Sequence, residues 1–435
     1  MAYDLERYRS ALRQLPATQE YGKVVEAVGL AVQSQGPRVS VGELCYIDQQ
    51  GHRPLPAEVV GFREGRVILM PLGTSQAISP GASVRPAHRP FTVPVGEGLV
   101  SRVVNALGEP IDGKGSVGAL ERTRTDRPAP NPLERPMIDS VLPTGVRAID
   151  ALATLGEGQR VGIFSGPGVG KSVLLGMMAR GSAADVAVIA LVGERSREVQ
   201  EFVQRDLGPD GMARSVVVVA TADEPALVRV KAAFTAVAMA EHFRDQGKRV
   251  LLLFDSLTRV ATAQREVGLA AGEPPATRGF PPSSFAILPR LLERAGTAPR
   301  GSITGFYSVL VEGDDLQEPV ADAARSVLDG HLVLTRELAD AGIFPALDVG
   351  RSLSRVMRQI VTPEHTAWAQ ALRAHWSTYE DAKDLVRIGA YQAGTSPEVD
   401  AAVAMRPRII DFLRQPENET VSFDAARDAL REVTQ

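Results

Sequence analysis

The sequence predicts an α/β protein, with a largely parallel sheet covered on both faces, a small all-β unit before it and helices after it. Three observations carry that reading. The apolar runs VGIFS (161–165), VAVIALV (186–192), SVVVVA (215–220), VLLLF (250–254), SITGFYSVLV (302–311) and HLVLT (331–335) recur without polar alternation, as strands buried on both faces do. Helical patterns lie between them, as at 224–245, which is the order that parallel βαβ units require. A glycine-rich turn, FSGPGVGKS (164–172), joins the first run to a helical pattern, SVLLGMMAR. That is the context of a phosphate-binding loop.

From the N-terminus, residues 3–15 put Leu5, Tyr8, Leu12 and Leu15 on one helical face and Arg7, Arg9 and Arg13 on the others, and Pro16 ends the pattern. Residues 1–20 thus read as a helix that either docks on a partner or packs on its own domain. Over 21–90, short runs such as VVEAVGLAV (24–32), AEVVGF (57–62) and GRVILMPL (65–72) are divided by glycines, prolines and polar turns, which predicts a small β-barrel-like domain. DRPAPNPLERP (126–136) is too rich in proline for regular structure and reads as an extended connector. It falls within the α/β region, taken as 91–362. From 363 to 435 the chain turns helical, through HTAWAQALRAHWSTYEDAKDLV and AAVAMRPRIIDFLR.

Composition narrows the function. The chain has 435 residues, 44% of them hydrophobic and 23% charged, with a net charge of −4. These are the proportions of a soluble globular protein, and the charge argues against binding nucleic acid through bulk positive charge. A single cysteine, Cys45, allows no disulfide framework within one chain. No apolar stretch reaches the ~18 residues of a membrane span, and the charged N-terminus does not read as a signal peptide. The cytoplasm is the expected compartment.

The phosphate-loop pattern is G-x-x-x-x-G-K-[ST]. Gly170, Lys171 and Ser172 fit its end, whereas Ser165 replaces the first glycine. Serine is small and serves there if its backbone angles are ordinary. The loop Ser165, Gly166, Pro167, Gly168, Val169, Gly170, running on into Lys171, Ser172 and Val173, would wrap phosphates with backbone N–H groups at a helix N-terminus. Lys171 would reach the β- and γ-phosphates of ATP, and Ser172 would give its hydroxyl to Mg2+. Asp255 closes the buried strand VLLLFD and can hold the same Mg2+. Glu194 and Arg195 close another buried strand in ALVGERSREV. Glu194 either polarises a water near the γ-phosphate or belongs to a structural ion pair, and Arg195 can pair with Glu198 or another acid. In GIFPALDVGRSLSRVM (342–357), Phe344 has the chemistry to stack on a base, and Arg355 or Arg351 the chemistry to hold a phosphate.

PALDVGRSLS (345–354), the small residue at 165 and the triplet Gly193-Glu194-Arg195 resemble the rotary ATPase α/β family. GEGQRVGIFSGPGVGKSVLLGMMAR, FRDQGKRVLLLFDSLTRVATAQREVGLAAGEPPATRGFPPS and VEGDDLQEPVADAARSVLDGHLVLTRELADAGIFPALD resemble one branch of it, the flagellum-specific export ATPase and its sister, the injectisome type III secretion ATPase. The likeness runs from about residue 21 to the C-terminus. DDLQEP and EPIDGKG (109–115) favour the flagellar sister. The resemblance implies a RecA-like core between a β-barrel-like and a helical domain, in a ring of six identical subunits with ATP at each interface. It also implies that Lys171 and Ser172 contact phosphate and Mg2+, that Asp255 is the second Mg2+ carboxylate, and that Glu194 activates water with Arg195 and Arg259 in support. Phe344 would take the place of an adenine-stacking tyrosine, and Arg355 that of an arginine finger given to the neighbouring subunit. The implied partners are regulator and stalk proteins, an export gate, and export substrates with their chaperones. The implied location is the cytoplasmic side of the inner membrane, with peripheral contact and no nucleic acid. Glutamate at 194 argues against a non-catalytic subunit of the family. The absence of a basic, aromatic cluster in 21–88 argues against an RNA translocase. DDLQEP and GEPPATRGFPP argue against a subunit of a proton-driven ATP synthase.

Overall fold

The structure, a computed structural model, describes residues 20–74, 77–311 and 317–435, so the helix expected over 3–15 lies outside the described residues. Two compact units divide the chain. One runs to Phe91 and includes Ala270–Gly272, and the other holds Thr92–Leu269 and Glu273–Gln435.

The first unit is a closed antiparallel barrel of β1 (Gly22–Val28), β2 (Ala31–Gln35), β3 (Glu43–Ile47), β4 (Leu55–Arg63), β5 (Arg66–Pro71) and β6 (Ser83–Pro90), in the order β1-β2-β5-β4-β3-β6. Alternation explains it. Successive strand side chains face opposite ways, and Leu55, Ala57 and Val59 of β4 all turn inward. They meet Val24, Val32, Ile47, Leu69 and Val84 in one core. Cys45 lies in this core and is fully buried. The run 24–32, read as one element, is a hairpin in which Val28 faces Ala31. Gly29, at φ 59°, takes the left-handed conformation that a two-residue hairpin turn needs.

The second unit is built on a sheet of β8 (Arg102–Asn105), β10 (Arg160–Ser165), β11 (Val186–Glu194), β12 (Ser215–Thr221), β13 (Arg249–Asp255), β15 (Ser302–Leu310), β16 (Gly330–Leu334) and β17 (Leu353–Ser354), with β14 (Gly296–Thr297) attached to β15. The strand order is β17-β16-β10-β15-β13-β11-β12-β8. Every pairing from β16 to β8 is parallel, and only β17 and β14 run antiparallel. A short ribbon of β7 (Thr92–Val95) and β9 (Glu121–Arg124) stands apart from it. All nine residues of β11 are buried, as its unbroken apolar run requires. Burying each of its large aliphatic side chains is worth about 1.5–3 kcal/mol.

Helix α1 (Lys171–Gly181) follows β10, and α2 (Ala226–Asp245) crosses from β12 to β13. Between β16 and β17 lies the short α3 (Arg336–Asp340). The chain ends in α4 (Pro363–Arg387), α5 (Pro397–Leu413) and α6 (Phe423–Thr434). The N-caps of these last three are Thr362, Ser396 and Ser422, whose side chains accept backbone N–H groups of the first turn. Proline stands at the first position of α4 and α5, where no donor is lost. Leu372, Trp376, Phe412 and Leu430 of these helices join the same core as Ile163, Leu175 and Ile189. The connector 126–136 holds one short turn, Pro132–Glu134, and no other regular structure.

Candidate nucleotide site

β10, β11 and β13 are parallel members of one sheet, so Ser165, Glu194 and Asp255, which end them, reach the same edge. Ligands of α/β sheets bind at that edge. Ser165 is fully buried, and its φ lies outside the positive region. Serine therefore fits where the motif has glycine. Its Oγ has no hydrogen-bond partner among the described residues. Gly168 (φ 78°) and Gly170 (φ 87°) bend the loop through the left-handed region, where a side chain would be strained. Lys171 and Ser172 open α1, and Val173 packs against the core.

The Lys171 Nζ donates to Asp255 Oδ1 at 2.5 Å and lies 3.9 Å from Glu194 Oε1. Ser308, on β15, donates to the same Asp255 oxygen at 2.6 Å. Glu194 is buried. Its Oε2 accepts from Arg259 Nη2 at 3.2 Å, while Arg259 Nη1 donates to the Gly193 carbonyl. No described group hydrogen-bonds Glu194 Oε1. Burial above all, with the Asp255 charge and a hydrogen bond with Glu198, pushes the Glu194 carboxyl up to about 8 against the opposing pull of Lys171 and Arg259. That same hydrogen bond lowers Glu198, so Glu194 is the more basic of the two carboxyls. Arg195 is exposed and reaches Glu198 Oε1 at 3.3 Å, not the Lys171 cluster.

Phe344 is half-exposed, and a Cβ placed on Gly170 would lie 3.5 Å from its ring. An aromatic face therefore stands beside the phosphate loop. Arg355 is elsewhere. It follows β17, which pairs with the start of β16 through Ser354 and Gly330. That is the opposite end of the sheet from the loop. Its backbone N–H donates to Asp329, and its exposed guanidinium makes no hydrogen bond or ion pair among the described residues.

Two residues of the site escaped the sequence reading. Ser308 interrupts the run SITGFYSVLV, and a lone hydroxyl in a doubly covered strand is a signal that it has a partner. Arg336, on α3, donates to the Pro167 carbonyl at 2.9 Å, and nothing in its spacing announces that.

A nucleotide with Mg2+ fits these residues. Among the described residues no cluster of three or more His, Cys, Asp or Glu could hold a metal by itself. Ser172 and Asp255 would therefore hold Mg2+ only together with phosphate oxygens, the usual arrangement for that ion. The loop could cradle phosphates, and the Phe344 ring beside it could face a base.

Fold and site together define a P-loop nucleotide-binding protein with a buried glutamate, Glu194, beside the loop lysine. Residues 145–354 match the nucleotide-binding domain of the ATP synthase alpha/beta family, residues 20–87 its beta-barrel domain, and residues 361–432 the T3SS EscN ATPase C-terminal domain. The chain is 51% identical over 416 residues to the flagellum-specific ATP synthase of Bacillus subtilis, covering 95% of each chain. It is 50% identical over 424 residues to the type 3 secretion system ATPase of Xanthomonas euvesicatoria, covering 97% of this chain and 96% of that one. The solved structure of the assembled ATPase EscN in complex with its central stalk EscO, from enteropathogenic E. coli, superposes with a TM-score of 0.87 at 43% identity, over 95% of this chain and all of that one. The chain belongs to the ATP synthase alpha/beta family, in the branch shared by flagellar and type III secretion ATPases.

Proposed function

We propose that this protein is a Mg2+-dependent ATPase that drives or primes export of unfolded flagellar proteins through a flagellar type III export apparatus, as a ring of six identical subunits. The observation that carries this reading is the convergence of Lys171, Asp255 and Glu194 at one sheet edge, with the Phe344 ring beside Gly170. The loop 165–173 binds the phosphates of ATP, and Phe344 takes the adenine. Ser172 and Asp255 would hold a divalent cation, which would supply positive charge to the phosphates and offset one of the two carboxylates that crowd the site. Glu194 orients the attacking water and accepts its proton, while Arg259 faces both of its oxygens, each at 3.2 Å. Arg195 steadies Glu198. Arg355 stabilises charge on the neighbouring subunit's nucleotide.

The ring and a stalk partner are supported by the likeness to EscN, which is assembled and bound to its central stalk. By the same kinship the partners are a regulator, a stalk protein, the export gate, and substrates with their chaperones. The working place is the cytoplasmic face of the inner membrane. No helix of the described residues is long and apolar enough to cross a membrane, which fits peripheral contact there.

A second reading, an injectisome ATPase, draws on the 50% identity to the Xanthomonas protein. EPIDGKG and Gln317 favour the flagellar one. Two measurements test the proposal. Purified protein should release phosphate from ATP only with Mg2+. The gene should restore motility to a strain lacking its flagellar ATPase and leave an injectisome mutant unrescued, and the reverse outcome would select the second reading.

A further inference from the structure

Arg336 belongs to none of the roles above. It opens α3, and its Nη2 is the one donor among the described residues to the carbonyl of Pro167. Pro167 lies at the exposed crest of the phosphate loop and has no N–H of its own. The peptide from Pro167 to Gly168 is not among the cis bonds. In a planar trans peptide the C=O and the following N–H point in opposite directions. Holding the Pro167 carbonyl therefore fixes the direction of the Gly168 N–H, at a glycine whose backbone is otherwise free to rotate.

Helix α3 has a second set of contacts. Glu337, the next residue, accepts from Lys383 Nζ of α4 on its two oxygens at 2.8 and 3.1 Å. Lys383 also donates to Glu380 at 2.6 Å, and Arg406 of α5 approaches Glu380 at 3.5 Å. A cleft of about 930 Å3 lies along this face of α3 and is lined by residues of α4 and α5. Ion pairs thus tie the helix across this cleft, while Leu338 packs into the core. Because Arg336 and Glu337 are consecutive, a displacement of one contact displaces the other.

The geometry points to Arg336 as a positioning residue of the phosphate loop, anchored through Glu337 by Lys383 of the C-terminal helices. The inference rests on the reading of 165–173 as a nucleotide site. Arg336 touches the loop's backbone and no reacting atom, so its loss should weaken phosphate binding more than chemistry.

The test is titration with a fluorescent ATP analogue and steady-state Mg-ATPase kinetics on full-length protein, with melting temperature as the check on folding. Arg336→Met should raise the Kd for ATP and ADP roughly tenfold, the scale of one charge-assisted hydrogen bond at an exposed site. The kcat at saturating ATP should stay within about threefold. Arg336→Lys, which restores a donor, should recover most of the affinity. Lys383→Met should shift Kd in the same direction by a smaller factor, and the double variant should fall short of the sum, as coupled residues do. A Kd for Arg336→Met within twofold of wild type, an Arg336→Lys as weak as Arg336→Met, or a loss of kcat at unchanged Kd would each overturn the inference. Should Arg336→Met fail to fold, Lys383→Met carries the test, and an unchanged Kd there breaks the link. A wild-type protein that binds no nucleotide sinks the functional reading itself, whereas wild-type binding with unresponsive Arg336 variants sinks this inference alone.

Discussion

At the scale of single residues, the site is a crowd of charges around one ammonium. Lys171 faces Asp255 at 2.5 Å and Glu194 at 3.9 Å, and Arg259 takes part of the remaining negative charge through Glu194 Oε2. Neither carboxylate can be ionised cheaply at such low exposure without these partners. Removing the ammonium and neutralising Glu194 should therefore have different consequences. Lys171→Ala should abolish hydrolysis by weakening phosphate binding. Glu194→Gln keeps the shape and the neighbours, so it should retain ATP binding but lose turnover by roughly 10²-fold or more. Equilibrium binding and phosphate release, measured side by side, separate the two, and a Glu194→Gln protein turning over at the wild-type rate would remove Glu194 from the mechanism. A second residue-scale prediction concerns Asp112 of EPIDGKG. Arg102 grips it with two hydrogen bonds, at 2.7 and 2.8 Å, and the N–H groups of Val103 and Lys114 add two more, each at 3.1 Å. The Arg102 contact, above all, holds the Asp112 carboxyl well below the usual carboxylate range. A depressed folded pKa contributes stability above the unfolded value, near 3.9, and that contribution is lost as pH falls toward the folded one. Asp112→Asn should melt lower than wild type at pH 7, and the gap should close progressively below about pH 4. A gap that stays constant between pH 7 and pH 3 would mean that the carboxylate charge contributes nothing.

At the scale of elements, what the sequence makes legible depends on how much environment a residue pattern encodes. The runs at 161–165, 186–192, 215–220 and 250–254 are strands in the structure because burial on both faces leaves only apolar residues. The polar residues that end β11 and β13 stand out against those runs, which is why Glu194 and Asp255 could be picked from sequence. The hairpin at 24–32 was hidden because its turn, Gly29-Leu30, has no polar residue to mark it. The edge strand β8 and the ribbon strand β9, RVVN and ERTR, are four residues each, too short for a period to show. Ser308 and Arg336 act across distances in sequence that only the sheet order and the return of the chain through α3 bring together. The separation of the barrel core from the sheet core gives a prediction at this scale. Both tryptophans, Trp368 and Trp376, sit on α4 and report the second unit. Cys45 reports the first. Burial, with the Glu43 charge adding to it, pushes its thiol up to about 12. At pH 8 native Cys45 should therefore react with iodoacetamide on the order of a thousandfold more slowly than an unfolded thiol. In a urea series, the onset of Cys45 labelling and the tryptophan fluorescence transition should have different midpoints, because each unit has a core of its own. Coincident midpoints would show that the two cores unfold as one.

At the scale of the whole molecule, the placement of Arg355 limits which nucleotide it can reach. The loop, Glu194 and Asp255 lie at the carboxyl ends of their strands, whereas Arg355 follows a pairing made at the amino end of β16. A strand of five residues spans about 13 Å between its ends, and β16 is in register with β10 along that length. The arginine is therefore carried away from its own chain's phosphate loop, with its guanidinium exposed. An arginine so placed can serve catalysis only on a nucleotide held by another subunit, which is the arrangement of a ring with shared sites. Two measurements follow from one geometry. Activity per subunit should rise with protein concentration until the ring is filled, and the rise should track assembly seen by analytical ultracentrifugation. Arg355→Ala should bind nucleotide as wild type does but lose turnover by a large factor, since a finger of this kind is worth about 10³–10⁵ in related phosphoryl transfers. Mixing decides between a shared and a private site. If each arginine serves its neighbour, a Lys171→Ala subunit, dead in its own loop, still offers Arg355 to the next chain, and an Arg355→Ala subunit still offers an intact loop. Mixed rings of the two dead variants should then regain part of the wild-type activity, at the interfaces where a good loop meets a good arginine. Mixtures as inactive as either variant alone, in rings shown to contain both, would put Arg355 outside the catalytic site.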